Sequence, residues 1–447
     1  MTSEETQVIE TLTAHMAPRC VGRYLIDLPV DFVLNPITTT KLEGVDITIT
    51  RMERGRFNDE FLAQRATLTA TMLPGKDKQR PHLRKEIALP DGAAGGVFDR
   101  SETAVSSDRM GRMLELVAWR NGFRIVATIK ATDTTFPEDA DDSIAKQLKT
   151  DVPEKLAHLL NVYERVRGRG DHEVPTEQGL CFANGFLSGE PNDEDSQIDL
   201  YYHLRTAKDV YFTFHSLSDL IQDDTLLDRG PAIEKMLKAR NGETLRKGKR
   251  ESHGLKFEEW LMTMESDPGG KDHNMTLEVN SKTASPLTPL FIVDLDSGVE
   301  HPGPELTLEQ AAVHKPLTKA TFSAAQTVAL WDKATATLRP RPITAQAAPA
   351  TAPVSATLSA PQTATPRLPL GTSLASGTRC PQSGTWQCAA ANAVGGARRS
   401  FTAGETLSSV LAPVERSFLQ RLKGAPQNAL TGTVWTLVAY PDSNEPG

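Results

Sequence analysis

Apolar and polar residues alternate along most of the chain before Arg339, and the period of that alternation switches repeatedly between two and about three and a half. A period of two marks a strand with one buried face, and a period near 3.6 marks a helix. The first such run, Val21–Pro29, predicts a strand, and VDITITRM at Val45–Met52 predicts another. A helix follows with Asn58 as its expected N-cap. Its stripe is Phe61, Leu62, Ala66, Leu68, Met72 and Leu73, and Pro74-Gly75 ends it. Beyond the basic stretch Lys76–Lys85, strands are expected near Lys85–Leu89 and Gly96–Arg100. MLELVAWR and FRIVATIK flank Asn121-Gly122, the dipeptide that best fits a two-residue hairpin turn. Leu156, Leu159, Leu160 and Tyr163 then give the i, i+3, i+4, i+7 spacing of a closing helix.

The same order returns after a short break at Gly168–Gln178. Strands are predicted at Gly179–Leu187, Gln197–Leu204 and Val210–His215. A helix begins at Pro231 with Ile233, Met236 and Leu237 on one face. A second basic stretch, Arg246–Arg250, leads into the strand LKFEEWLMTM, a turn at Asp267-Pro268-Gly269-Gly270, then MTLEVN and FIVDL. A helix carrying Ala324, Val328, Trp331 and Leu338 closes the half. The expected fold class is α+β: two similar lobes of mostly antiparallel sheet with flanking helices, residues 20–167 and 178–338, after an N-terminal tail, 1–19.

From Arg339 to Ser376 the chain is rich in Pro, Ala and Thr and has no aromatic residue. Such a segment buries too little apolar surface to offset its ordering entropy, so 339–376 reads as an extended linker. Aromatic residues return at Trp386, Phe401 and Trp435. A small β-rich module is expected over 377–442, with a short helix near Pro413–Lys423.

Length is consistent with two to three domains. The net charge of −8 excludes a general affinity for nucleic acid, which requires a basic face. No apolar run approaches a membrane span, so no stable membrane insertion is expected. The first nineteen residues contain acids and no apolar core, which is not the pattern of an export signal; on that reading the chain stays in the cytoplasm unless a leader precedes it.

Candidate chemistry is sparse. There is no nucleophile elbow, no paired-histidine metal motif and no glycine-rich phosphate loop. Ten histidines are scattered, and no cofactor or metal is expected. Asp171-His172-Glu173 reads as a solvated loop, and His203 and His215 as sheet residues. Asn192–Asp195 and the run Asp294–Glu300 bring carboxylates together in the manner of a Ca²⁺ loop, but a solvated turn fits each better. Lys76, Lys78 and Arg80 occupy the same slot in the first half as Arg246, Lys247, Lys249 and Arg250 in the second. They read either as charged hairpin loops or as paired contact loops for an acidic partner or lipid headgroups. Cys380 and Cys388 are close enough in sequence for a local bridge. Cys20 and Cys181 each head their lobe's first strand, so a pseudo-twofold arrangement would let them bridge the lobes. The alternative is two buried thiols in separate cores.

Arg19-Cys20-Val21-Gly22-Arg23-Tyr24-Leu25-Ile26-Asp27-Leu28-Pro29 and Gly179-Leu180-Cys181-Phe182-Ala183-Asn184-Gly185-Phe186 resemble the openings of the two domains of a known family. Its members are immunity proteins that neutralise type VI secretion phospholipase effectors of the fourth antibacterial lipase class. The resemblance spans residues 15–338 and implies a non-enzymatic, two-domain inhibitor of a cognate lipase effector, working in the periplasm. Cys380–Cys388 with Arg399–Glu405 looks like an accessory module attached to some bacterial immunity-type proteins. The competing readings are an adaptor or chaperone that loads a type VI effector, and a hydrolase using scattered residues such as His203 or Asp171.

Overall fold

Alternation in both halves resolves into one continuous antiparallel sheet rather than two separate ones. In the computed structural model the chain forms two compact units, Met1–Gln346 and Ala347–Gly447. The structure describes residues 1–74, 80–105, 110–135, 148–189, 196–218, 220–266, 270–299, 317 and 319–344 of the first unit. Of the second it describes 368–375, 378–388, 397–405, 407, 410–413, 428–431 and 433–440.

The first half of the larger unit contains α1 (Ser3–Leu12), β1 (Met16–Val21), β2 (Tyr24–Pro29), β3 (Phe32–Leu34), β4 (Thr39–Leu42), β5 (Val45–Arg51), α2 (Arg54–Ala70), β6 (Met72–Leu73), β7 (Arg80–Pro81), β8 (Leu83–Ala88), β9 (Ala94–Ser101), β10 (Gly111–Arg120), β11 (Phe123–Thr132) and α3 (Val152–Arg165). The second half contains β12 (Val166–Gly168), β13 (Gly179–Phe182), β14 (Gly185–Ser188), β15 (Gln197–Leu204), β16 (Ala207–Leu217), α4 (Gly230–Ala239), β17 (Glu243–Ser252), β18 (Leu255–Ser266), β19 (Gly270–Val279), β20 (Leu290–Ser297), α5 (Ala324–Thr335) and β21 (Arg339–Pro340). The main sheet runs β17-β18-β19-β20-β16-β15-β4-β5-β11-β10-β9-β8, with β3 also paired to β15. Its halves meet where Gln197, Ile198 and Asp199 of β15 face Lys41, Thr40 and Thr39 of β4.

One face of this sheet builds a single core across both halves. Ile47, Ile49, Ile125, Leu116, Phe212, Phe214, Val293 and Leu295 meet Leu159 and Val162 of α3 and Leu330 and Trp331 of α5 there. The opposite face carries two smaller clusters. Under α2, Phe57 packs with Phe98 and Val117, and under α4, Leu237 packs with Trp260, Met262 and Met264. Neighbouring strand residues thus serve different helices, as in Ile125 against Val126 and Leu261 against Trp260. That is the consequence of a two-residue period.

Several boundaries differ from the expected ones. The run Val21–Pro29 is not one strand: β1 and β2 fold back on each other at Gly22-Arg23, and Gly22 has φ +55°. Helix α2 starts a full turn before Asn58, with Glu53 at its N-cap, because Phe57 must lie inside the helix to reach Phe98. Leu62, placed on the apolar stripe, is exposed. Residues 1–19 are not a tail. Helix α1 buries Ile9 and lies against α5, with Gln326 donating to the carbonyl of Glu5 and Lys333 to Thr13. Asn121-Gly122 makes the expected hairpin turn, both residues having positive φ (51° and 84°).

Between the halves, the hairpins β1–β2 and β13–β14 meet. Gly22 and Cys181 exchange backbone hydrogen bonds of 2.8 and 2.9 Å, and a Cys20–Cys181 disulfide joins them at a Cα separation of 5.6 Å. Three buried arginines fasten the connecting segment. Arg169 donates to the carbonyls of Cys20, Gly185 and Glu173 at 3.0 Å each. Arg341 reaches those of Pro175, Glu177 and Gly179, and Arg19 pairs with Asp171 at 3.0 Å. Residues 339–344, assigned by composition to the linker, therefore dock on this unit. Arg339 and Pro340 pair with Leu25 and Tyr24, and Thr344 bonds to Thr176.

The smaller unit has a four-stranded antiparallel sheet of β22 (Ser373–Ala375), β23 (Gly384–Cys388), β24 (Arg398–Phe401) and β27 (Val434–Ala439), beside a pair, β25 (Val410–Pro413) and β26 (Asn428–Thr431). Trp386, Trp435, Phe401 and Leu437 form its core. The expected Cys380–Cys388 bridge is absent: both side chains are buried thiols, and Cys380 donates to the carbonyl of Gln382. The helix expected near Pro413–Lys423 falls almost wholly outside the described residues, and Pro413 itself ends β25.

Candidate functional site

Helices α2 and α4 cover the two ends of the sheet's outer face, and no described helix packs on its middle. From β5 across to β20 that open stripe presents polar residues at alternate positions. They are Asp46, Thr48 and Thr50 on β5, Thr39 on β4, Asp199, Tyr201 and His203 on β15, Tyr211, Thr213 and His215 on β16, and Asp294 and Asp296 on β20. Asp272, Asn274 and Thr276 of β19 extend it toward α4. Where the halves join, β3 and β4 are short. They leave a crevice of about 230 Å³ lined by Asn35, Pro36, Thr38, Thr48, Thr50 and Asn184.

Electrostatics in the stripe are unusual. Asp199 accepts from His215 Nδ1 at 2.6 Å, from Thr39 at 2.8 Å and from Gln197 at 2.7 Å. Burial opposes its charge, but these bonds outweigh it and hold its pKa below the usual range, while that of His215 is raised. Asp296 is pushed up to about 8, first by burial and then by the charge of Asp294, with only Asn274 at 2.8 Å opposing. Asp272 is pushed up to about 6 by burial. Asp294, which accepts from Thr276, is also raised by burial. A cluster of hydrogen-bonded acids without a nucleophile has no acyl- or phosphoryl-transfer geometry.

The basic residues chosen from the sequence fall elsewhere. Lys76 and Lys78 lie outside the described residues, and Arg80 begins the two-residue strand β7. Arg246, Lys247, Lys249 and Arg250 are not in a loop. They belong to β17, the edge strand of the sheet, and alternation sends them to opposite faces. Arg246 bonds Glu259 at 2.7 Å and Asp332 at 2.5 Å. Arg250 bonds the same two acids at 3.1 and 3.0 Å. Lys247 reaches Glu234 at 2.7 Å and sits 4.1 Å over the Trp260 ring. Lys249, 81% exposed, is the most solvent-facing of the four and has Glu258 at 3.6 Å. Glu258-Glu259 on the adjoining strand was the available signal that this basic run is internally neutralised.

Asp171-His172-Glu173 is not a free solvated loop either. Asp171 takes the hydroxyl of Tyr202 at 2.6 Å as well as Arg19, and His172 meets Arg19 at 2.6 Å. Tyr202 points to the core and His203 to the outer face, so Asp171 and His203 lie on opposite sides of the sheet and cannot act as a pair. Of the two Ca²⁺ candidates, Asn192–Asp195 lies outside the described residues. Asp294 and Asp296 stand in a strand rather than a turn, and among the described residues no acid or histidine group has metal-site geometry. The carboxylate row itself was missed. Its signal is the alternation of polar residues in DLDS and DHNMT within strands that read as apolar.

The family models described as the Tle cognate immunity protein 4 N-terminal domain and C-terminal domain match residues 17–169 and 173–343. Among solved structures, the chain is similar to one titled "The crystal structure of Tle4-Tli4 complex", at TM-score 0.56 and 20% identity, covering 74% of this chain and 99% of that one. It is also similar to the apo structure of immunity protein TplEi of T6SS from Pseudomonas aeruginosa, at TM-score 0.54 and 20% identity, covering 74% and 98%. At that identity the likeness is one of fold. No curated protein sequence matches the chain.

Proposed function

The chain belongs to the Tle cognate immunity protein 4 family, and from that membership we propose that it binds a type VI secretion phospholipase and holds it inactive. It is an immunity protein and not an enzyme. The supporting observation is that both family domains are present and share one sheet, clamped between the halves by Cys20–Cys181 and by Arg169. A platform braced in this way presents the open stripe and the junction crevice with little ordering cost on binding, which favours affinity. One of the similar structures is, by its title, a Tle4–Tli4 complex, and this chain is read as acting likewise on its own effector.

The site of action on this reading is the periplasm. A disulfide that closes 161 residues of sequence between two hairpins is a feature of chains that fold under oxidising conditions. The test is to mix the purified chain with the lipase encoded beside its gene. Hydrolysis of phospholipid vesicles should be suppressed at close to one-to-one stoichiometry, with a stable complex on size-exclusion chromatography. Suppression only at large excess, or lipid hydrolysis by this chain alone, would overturn the reading.

A further inference from the structure

Most buried acids elsewhere in the described residues have cations beside them, Asp209, held by the backbone and hydroxyl of Thr321, being an exception. Glu43 has Arg165, Asp99 has Arg112, Glu278 has Arg229, and Glu259 has Arg246 and Arg250. The row on β19 and β20 departs from that practice. Among the described residues no ion pair reaches Asp272, Asp294 or Asp296. Asp294 has the Thr276 hydroxyl and Asp296 the Asn274 amide, both neutral. Asp272 is 8% exposed, and among the described residues its Oδ1 has no hydrogen-bond partner. Alternation along β19 puts Asp272 on the same face as Asn274, the cross-strand neighbour of Asp296.

Among the described residues two cations lie near the row, and neither forms an ion pair with it. His215 is 2.6 Å from Asp199, and Arg240, at the end of α4, donates to the sulfur of Met264. Three carboxyl groups without a bonded cation, one of them with a bare buried oxygen, are costly to ionise in the isolated protein. The cost is recovered when a positive group is brought to them.

We propose that Asp272, Asp294 and Asp296 form a docking site for a lysine- or arginine-bearing segment of the effector, which supplies the cation this face lacks. The identity of that partner rests on the lipase-binding reading above; the site's preference for positive charge does not. The raised pKa values of Asp296 and Asp272 add a consequence. A cation favours the ionised carboxylates, so docking expels protons and tightens from pH 6 toward pH 8. The groups that face the row are Asp199, Tyr201 and His203 from β15 and Tyr211 and His215 from β16, with Arg240 from α4.

The experiment compares the full-length wild type with the triple variant Asp272→Asn/Asp294→Asn/Asp296→Asn. Two titrants are used in calorimetry at low and high salt: a deca-lysine peptide, and the lipase encoded beside the gene. Asn keeps the shape and the neutral hydrogen bonds while removing the buried charge, so the variant should melt no lower than the wild type. Should it nevertheless misfold, the single variants Asp294→Asn and Asp296→Asn carry the same readout. The expected result is at least about tenfold weaker binding of both titrants, with most of the salt dependence lost. Unchanged affinity for the lipase and the peptide would overturn the proposal. So would calcium chloride binding to the wild type and displacing the peptide, which would make the row a metal site. If the wild type binds the peptide through these aspartates but not the lipase, the immunity reading fails and the cation site stands.

Discussion

Replacing Asp296 by Asn tests the electrostatic reading of the stripe without any partner. The residue's pKa lies at about 8 in the folded protein, against an ordinary value of 3.8. A group whose folded pKa is raised contributes stability that is full below its unfolded pKa and is lost as pH rises through the folded one. For Asp296 that window runs from about pH 4 to about pH 8. At 1.36 kcal/mol per pH unit, the part lost between pH 6 and pH 9 is about 3 kcal/mol. Asp272, at about 6, has little left to lose over that range, about 0.4 kcal/mol. Urea denaturation at several pH values gives the assay. The wild type should lose about 3 kcal/mol more between pH 6 and pH 9 than Asp296→Asn, whose amide retains the contact with Asn274 and carries no charge. The difference between the two proteins cancels the pH dependence common to both. Parallel curves would refute the argument, because they would mean that the Asp296 carboxylate ionises as it does in water.

Other consequences are open to the same kind of measurement. Reducing Cys20–Cys181, or replacing both cysteines by Ser, should lower stability by up to about 5 kcal/mol, the loop-closure entropy of so long a loop; an unchanged denaturation midpoint would show the hairpins to be held by Arg169 and Arg341 alone. Arg169→Met should cost about 3 kcal/mol or more, since it leaves the carbonyls of Cys20, Gly185 and Glu173 without that donor. Truncating Arg246 and Arg250 together to Ala should destabilise by about 3 kcal/mol, because Glu259 stays buried with only Trp331 beside it. Lys249→Glu, by contrast, should leave the melting temperature within a degree or two of the wild type, as expected of an exposed side chain.

Much of this protein is legible along the chain because it is local. The turn at Asn121-Gly122, the strand β5, the Pro231 helix start and the presence of α5 with Trp331 on its buried face all follow from φ preferences and from periods of two and 3.6. The resemblance of Arg19–Pro29 and Gly179–Phe186 to family openings pointed to the right family for the same reason: those residues form tight hairpins whose turns and buried cysteines tolerate few alternatives. What a local pattern cannot carry is which charges end up opposite one another. Arg246 and Arg250 looked like an exposed basic loop until β17 set them against Glu259 of the adjoining strand and against Asp332, which is distant in sequence. Asp294 and Asp296 looked like a solvated turn until β20 was placed between β16 and β19. The joining of the two halves into one sheet was likewise hidden. It depends on three residue pairs between β4 and β15 and three more between β3 and β15, and register between strands far apart in sequence is settled by burial of their shared face rather than by either strand alone. The elements were thus determined by sequence, while the pairing of charges and the continuity of the sheet were decided by tertiary structure, because both are properties of which strands become neighbours.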